Sequence, residues 1–358
     1  VWGPPPLRVT RTHREYLDIV ANASSGFDPQ ALEWAIDDYV GSLIKKFKEM
    51  KCTIRPLTHM ETVNGIPGMR FVDKMVRNTA IGFPRSGKKM KYFSDLPPTE
   101  DYPDAVEIDE ETQREIDRML KCYREGKRSY CGARTALKDE PTSKDKDRIF
   151  YVLNTATQYL IRKYFLTMCA ALSSFPLESG CAVGINCYSP EWEELMSYSC
   201  AYGKKNIFAG DYSKFDLRLP AQVIRASFKC FIDIAKEFGY SDDDIKVMNG
   251  LAADISNPVI SWNGTLLMLY ALHLSGNSLT VYNGTISSQL MLRVHWYEQS
   301  VKYDMLLGGK VQPFRAYVHA IGYGDDLIGG VKNNVKDMFN HITYAQFMKD
   351  HEMLFTMP

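Results

Sequence analysis

The feature that most constrains the fold is the stretch Ala320-Ile321-Gly322-Tyr323-Gly324-Asp325-Asp326-Leu327-Ile328. Two runs of strand-forming residues, Phe314 to Tyr323 and Leu327 to Val331, flank Gly324-Asp325-Asp326, which predicts a hairpin with both acids in its turn. Side chains alternate faces along a strand, so adjacent carboxylates reach one place only where the backbone bends, and Gly324 permits that bend. Two such carboxylates repel, and a hard divalent cation is the common means of keeping both ionised. Turns favour Gly and Asp for their own sake, so the stretch alone is equally compatible with a solvated turn. A third carboxylate and the parts of a nucleotide site elsewhere in the chain decide between the two.

The 358 residues have room for roughly two domains, and 45% hydrophobic with 12% aromatic content describes a folded globular chain. Lys and Arg together number 43, as do Asp and Glu, so the molecule is not uniformly basic and a nucleic-acid surface must be made by local segregation of charge. The eight cysteines form no C-x-x-C pair and no zinc-spaced cluster with histidine, which reads as reduced thiols in a cytosolic protein. Asn22-Ala23-Ser24, Asn263-Gly264-Thr265 and Asn283-Gly284-Thr285 match the glycosylation sequon, but without a signal peptide they read as chance. No run of about eighteen apolar residues marks a transmembrane segment. A start at Val1 and a stop at Pro358, directly after Leu354-Phe355-Thr356-Met357, read as a fragment or a piece of a polyprotein.

Along the chain, Asp28-Pro29 predicts a helix start, and Leu32, Ile36, Tyr39, Val40, Leu43 and Phe47 continue its apolar stripe. Gly82-x-x-x-x-Gly87-Lys88 imitates a phosphate-binding loop, yet Lys89 stands where a Ser or Thr hydroxyl should hold Mg²⁺, and no apolar strand precedes Gly82. A basic loop touching a nucleic-acid backbone suits these residues better. Residues 109–124 predict an amphipathic helix with Ile116, Met119, Leu120 and Tyr123 on one face, closed by Gly126. Lys127, Arg128, Arg134, Lys138, Lys144, Lys146 and Arg148 then lead into the apolar Ile149-Phe150-Tyr151-Val152-Leu153, a pattern for a basic hairpin that pairs with phosphates. A helical segment spans 155–171, and the apolar strand Ile207-Phe208-Ala209-Gly210 ends in Asp211, the third carboxylate. Pro220 opens a helix through Val223, Ile224, Phe228, Phe231, Ile232 and Ala235 that Gly239 closes. Leu274-Ser275-Gly276-Asn277-Ser278-Leu279-Thr280, ahead of a helix with Ile286, Leu290, Met291 and Val294, places hydroxyls and flexible backbone where an anionic or sugar ligand would suit them.

In this order and spacing the pieces resemble the RNA-dependent RNA polymerase of positive-strand RNA viruses of the picornavirus-like group. Asp211-x4-Asp216 resembles the family's motif A, Ser275-Gly276-x3-Thr280 its motif B, and Tyr323-Gly324-Asp325-Asp326 its motif C. Lys138-Asp139-Glu140 through Lys146-Asp147-Arg148-Ile149 is similar to motif F, and Asn78-Thr79-Ala80-Ile81-Gly82-Phe83-Pro84 to motif G. The resemblance implies an α+β right-hand polymerase: a palm with a small antiparallel, RRM-like sheet backed by helices, mostly helical fingers, and no thumb within the chain. Residues 1–204 and 237–273 are then expected as fingers, and 205–236 and 274–358 as palm. It further implies template-directed nucleotidyl transfer from NTPs to an RNA 3′-hydroxyl, with Asp211, Asp325 and Asp326 holding two Mg²⁺ ions, or Mn²⁺ in their place. Asp216, Ser275, Gly276, Thr280 and Asn283 are expected at the nucleotide, Lys138, Lys146 and Arg148 at its triphosphate, and Thr79, Ala80 and Gly82 at the template. Implied partners are the RNA template and product strand, a protein primer and other viral replication proteins, in the host cytoplasm at membrane-associated replication complexes.

Two departures stand out. The family usually places an Asn nine residues after the motif B Ser, where this chain has Gly284; either Asn283, one residue earlier, reaches the ribose after a local shift, or Asp216 works with less help. The end, His351 to Pro358, resembles the beginning of motif D cut before its expected Lys, so motif E and the thumb are expected to lie outside this chain. A reverse transcriptase shares the Tyr-x-Asp-Asp hairpin but carries a bulky aromatic steric gate where this chain has Asp216, and lacks the Ser-Gly-x-x-x-Thr element. A template-binding and metal-binding fragment without turnover is the other alternative.

Overall fold

Asp28 caps the first long helix as its sequence predicts: the carboxylate accepts the Ala31 N–H at 2.7 Å, Pro29 occupies the first turn, and the six stripe residues from Leu32 to Phe47 are all buried. The computed structural model describes residues 11–22, 24–138 and 148–356. In chain order its principal elements are helices α1 (Pro29–Glu49) and α2 (Glu110–Arg124), strands β1 (Gly132–Leu137) and β2 (Ile149–Leu153), helices α3 (Thr155–Ser174) and α4 (Pro190–Ser199), and strand β3 (Ile207–Tyr212). Helices α5 (Ala221–Glu237) and α6 (Asp242–Ser256), strands β4 (Val259–Trp262) and β5 (Thr265–Met268), and helix α7 (Thr280–Lys302) follow. Last come the hairpin of β6 (Val318–Tyr323) and β7 (Asp326–Val331), helix α8 (His341–Asp350) and strand β8 (Phe355–Thr356).

The chain divides into two compact units. One gathers residues 24–54, 168–238 and the described part of 281–358; the other gathers the described residues of 1–23 and 55–167 together with 239–280. Residues 24–54 and 168–204, expected among the fingers, therefore share a unit with the hairpin, whereas 274–280 belong to the other unit.

The hairpin unit is built on one antiparallel sheet in the order β6-β7-β3-β8. Aromatic rings fill one face: Tyr212 lies 5.0 Å from Phe215 and 5.1 Å from Phe355, and Tyr344 of α8 lies 5.0 Å from Phe355. Helix α7 is buried on every side from Tyr282 to Trp296, so its polar residues must find partners inside the protein. The largest such debt is Arg293, 1% exposed, whose Nε donates to Asp38 of α1 at 2.9 Å and whose guanidinium lies 4.5 Å from the Phe314 ring centroid. Breaking a buried pair leaves one charge uncompensated, so Asp38→Ala should destabilise folding by about 3–5 kcal/mol. Urea unfolding checks this; a loss of about 1 kcal/mol or less would mean that water reaches Arg293.

The second unit carries a sheet in the order β2-β1-β4-β5, with β1 and β4 parallel and the other pairs antiparallel. Buried Asp254 of α6 accepts from Tyr123 Oη at 2.8 Å, Ser129 N at 3.0 Å and Arg128 Nε at 2.8 Å, tying α6 to the turn that follows α2. Strands β1 and β2 form the expected basic hairpin, closed by Lys138 N donating to Arg148 O at 2.8 Å. All eight cysteines are free thiols. Among the described residues no helix is long and apolar enough to cross a membrane.

Two sequence expectations shift. Phe314–Ala316 is a 3₁₀ turn, because Pro313 ahead of it cannot donate to a ladder, and the strand starts only at Val318. Asp326 lies in β7 and pairs with Tyr323, so the turn is only Gly324-Asp325.

Candidate active site

A two-residue hairpin loop demands positive φ at its first position, which Gly324 supplies at +66°. Strand β7 pairs with β3 through Leu327↔Gly210, and continuing that register by one residue sets Asp326 across from Asp211. Strand pairing thus brings Asp211 and Asp326 together from distant segments, with Asp325 in the adjoining turn. Asp325 feels Asp211, Asp216 and Asp326: desolvation in the turn is the largest effect, and with these like charges it pushes the Asp325 carboxyl up to about 6. Asp211 is raised as well, first by desolvation and then by Asp326. Among the described residues no Lys, Arg or His forms a salt bridge to Asp211, Asp325 or Asp326, so none of those residues compensates their repulsion.

The raised Asp325 has a consequence for the metal-free protein. Between the ordinary carboxyl value of 3.8 and about 6 the folded state keeps a proton that the unfolded chain has released. Its stabilising effect is complete below the ordinary value and is lost as pH rises through about 6. Melting temperatures measured across that window should therefore fall less steeply with pH in Asp325→Asn than in the wild type; parallel profiles would show an unperturbed carboxyl.

Asp216 sits in the short helix Phe215–Arg218, entered through Lys214 in the left-handed region at φ +54°. Next to the acids, a cavity of about 570 Å³ is lined by Trp192, Met196, Ala209, Asp211, Tyr323 and Asp326. Gly284 faces the turn, where a Cβ would lie 3.2 Å from Gly324 Cα. Asn283 corrects the sequence reading: it is 1% exposed and its Oδ1 accepts from Ser227 Oγ of α5 at 3.3 Å. One helical position turns its side chain about 100° from Gly284, so the shifted Asn faces the core and not the acids.

The other expected residues lie in the second unit. Gly276 packs so tightly on β2 that a Cβ would meet the Tyr151 carbonyl at 1.6 Å, and its own carbonyl accepts from Gln158 Nε2 at 2.7 Å. Ser275 Oγ is buried with no hydrogen-bond partner among the described residues. Thr280 spends its hydroxyl inside the loop, donating to the Leu274 and Asn277 carbonyls at 2.9 Å each. Thr79 accepts from Lys89 Nζ at 2.6 Å, so the lysine that spoils the phosphate-loop pattern is a buried structural partner. Burial and Arg162 hold that Lys89 down to about 8. Thr79 and Ala80 line a cavity of about 480 Å³ with Lys89, Gln158, Arg162 and Ser278. Gly82, at φ +92°, lies against the Leu153 carbonyl. Lys138 and the exposed Arg148 stand just past the Leu137–Ile149 pair of the basic hairpin, and Lys146 lies outside the described residues.

Sequence reasoning missed the residues that hold the hairpin from behind. Thr285 Oγ1 accepts the Gly324 N–H at 2.9 Å, and Ser288 Oγ donates to the Gly324 carbonyl at 3.2 Å. Buried hydroxyls inside a helix carry no distinctive sequence signal, since Ser and Thr are merely neutral helix formers.

Comparisons with known proteins bear on the fold and the family. The fold matches that of a polymerase: a Sicinivirus 3Dpol RNA-dependent RNA polymerase structure superposes with a TM-score of 0.70 at 18% identity, covering 99% of this chain and 70% of that one. Residues 6–347 match the family model of the viral RNA-dependent RNA polymerase, and the chain belongs to that family. Among curated relatives, the replicase polyprotein of cricket paralysis virus is 28% identical over 326 residues, which is 83% of this chain and 17% of the polyprotein. The genome polyprotein of deformed wing virus is 27% identical over 351 residues, 93% of this chain and 12% of the polyprotein. The chain thus spans less than a fifth of these relatives.

Proposed function

We propose that this chain carries the catalytic centre of template-directed RNA synthesis, joining NTPs to an RNA 3′-hydroxyl in the replication of a viral genome. The observation that carries the reading is the meeting of Asp211 with Asp325 and Asp326 in a chain that the polymerase family model matches nearly throughout. The hairpin unit is then the palm. The basic hairpin and the segment around Thr79 belong to the fingers.

The acids suit Mg²⁺, or Mn²⁺ in its place. Among the described residues no three His, Cys, Asp or Glu side chains form a ready-made cage. Mg²⁺ does not require one, since it is commonly held by one or two carboxylates while water and substrate phosphates complete its shell. Asp211 and Asp325 would hold the metal with Asp326 beside them, and bound ions would supply the charge that activates the 3′-hydroxyl and neutralises the departing pyrophosphate. Desolvation raises Asp325 most, the charges of Asp211, Asp216 and Asp326 add to it, and a cation would relieve that repulsion.

The chain's own part is positioning. Asp216 accepts a hydrogen bond from the ribose 2′-hydroxyl. In the other unit Ser275, whose hydroxyl has no partner among the described residues, is a further residue for the nucleotide. Gly276 and Thr280 shape the loop that presents Ser275. Lys138, Lys146 and Arg148 meet the triphosphate, and Thr79, Ala80 and Gly82 the template strand. RNA and NTPs are the substrates, with a protein primer and other replication proteins as partners in the host cytoplasm at membrane-associated complexes. Primer extension on a defined RNA template, using the chain lengthened to the span of its structural relative, tests the reading: incorporation should follow the template base. Template-independent addition, or none in a folded protein, would contradict it.

A further inference from the structure

Strand β6 is the edge of its sheet, and an edge strand ordinarily leaves every second backbone N–H and C=O unpaired. Here the outer edge is occupied at three alternate residues in succession. At Ala320 the carbonyl accepts from Gln289 Nε2 of α7 at 3.1 Å. At Gly322 the N–H donates to the Gly180 carbonyl at 2.9 Å and the carbonyl accepts from Ala182 N at 2.8 Å. At Gly324, already inside the turn, Thr285 takes the N–H and Ser288 the carbonyl. Thr285 and Ser288 are both 0% exposed and stand three residues apart on α7, one behind each peptide group of Gly324. Gly284 beside them has no side chain to push the turn away.

The pinning continues into the core. Gln289 accepts at Oε1 from Arg293 at 2.8 Å, and Arg293 is fixed by Asp38 of α1. The turn before Asp325 is therefore fastened to a helix buried on all sides, and is not left to the flexibility of a two-residue loop.

We propose that Thr285 and Ser288 are positioning residues for the metal site, a two-hydroxyl clamp on Gly324 that sets where the Asp325 carboxylate stands relative to Asp211. This rests on the reading above that Asp211 and Asp325 hold the metal. Ligand atoms must be placed to within about 0.5 Å for such a site to work, and partners behind the ligands supply that accuracy. Losing one hydrogen bond behind the turn should weaken the site by about three- to tenfold.

The test uses the chain itself with Mn²⁺ as the probe, free ion being followed by electron paramagnetic resonance. Hydrogen exchange of the peptide covering 320–326 is measured on the metal-free proteins. Thr285→Val and Ser288→Ala should each raise the apparent Kd for Mn²⁺ about three- to tenfold and speed exchange in that peptide. Thr285→Ser, which keeps the hydroxyl, should stay near wild type in both. Ser288→Ala keeps the result readable if Thr285→Val does not fold. Wild-type Mn²⁺ affinity in a folded Thr285→Val or Ser288→Ala protein would overturn the clamp. Asp325→Asn serves as the control for the underlying reading: unchanged Mn²⁺ binding there would remove the metal assignment itself, whatever hydrogen exchange reports about the turn.

Discussion

Asp211→Ala is expected to abolish incorporation of ribo- and deoxyribonucleotides alike, lowering kcat/KM by at least about 10²–10³ for both. The side chain leaves β3 at the point where strand pairing brings it across from Asp326, and Asp325 feels its charge. On the proposed function it serves the shared phosphoryl-transfer transition state, which is the same whichever sugar is bound. The loss should therefore be blind to the sugar, and it should not be a folding defect. Asp211 is exposed, and with no salt bridge to lose among the described residues, its removal relieves repulsion. Single-nucleotide incorporation under single-turnover conditions, paired with a melting curve, separates these effects. Residual activity within about tenfold of wild type would place the chemistry elsewhere.

Asp216→Ala should behave differently. If its carboxylate accepts a hydrogen bond from the 2′-hydroxyl, its loss costs NTP incorporation about 1.5–3 kcal/mol, roughly one to two powers of ten, and leaves dNTP incorporation nearly unchanged. The structure sharpens this expectation. Asn283, the side chain that might have shared the task, faces Ser227 in the core, and Gly284 offers nothing. On the proposed function Asp216 would then carry more of the sugar choice. Ratios of kcat/KM for matched NTP and dNTP pairs decide the point; equal losses for both sugars would mean that Asp216 only holds the short helix Phe215–Arg218.

The parts of the fold legible in the sequence are those written in local chemistry. The cap and stripe of α1 could be read because Asp28-Pro29 and the apolar spacing both act within a few turns. The hairpin could be read because Gly324 and two strand-forming runs fix it locally, although its turn proved shorter by one acid. The meeting of Asp211 with Asp325 and Asp326 depends on a long-range strand register, which no periodicity encodes; the strand end marked Asp211 as a candidate, and the resemblance to a family tied it to the other two. The behaviour of α7 was the least legible. Its Thr285, Ser288 and Gln289 look like an indifferent helix surface, yet burial on every side makes them the outer partners of an edge strand. The shift proposed for Asn283 failed for the same reason: sequence spacing gives distance along a helix, whereas a step of one residue changes the direction of the side chain.

The most direct test of the account is a crystal structure of the chain soaked with Mn²⁺, with the ion located by its anomalous signal. A peak bridged by the carboxylates of Asp211 and Asp325, absent from both Asp211→Ala and Asp325→Asn crystals, is the predicted result. An ion bound away from these two residues, or a peak that survives either substitution, would contradict it.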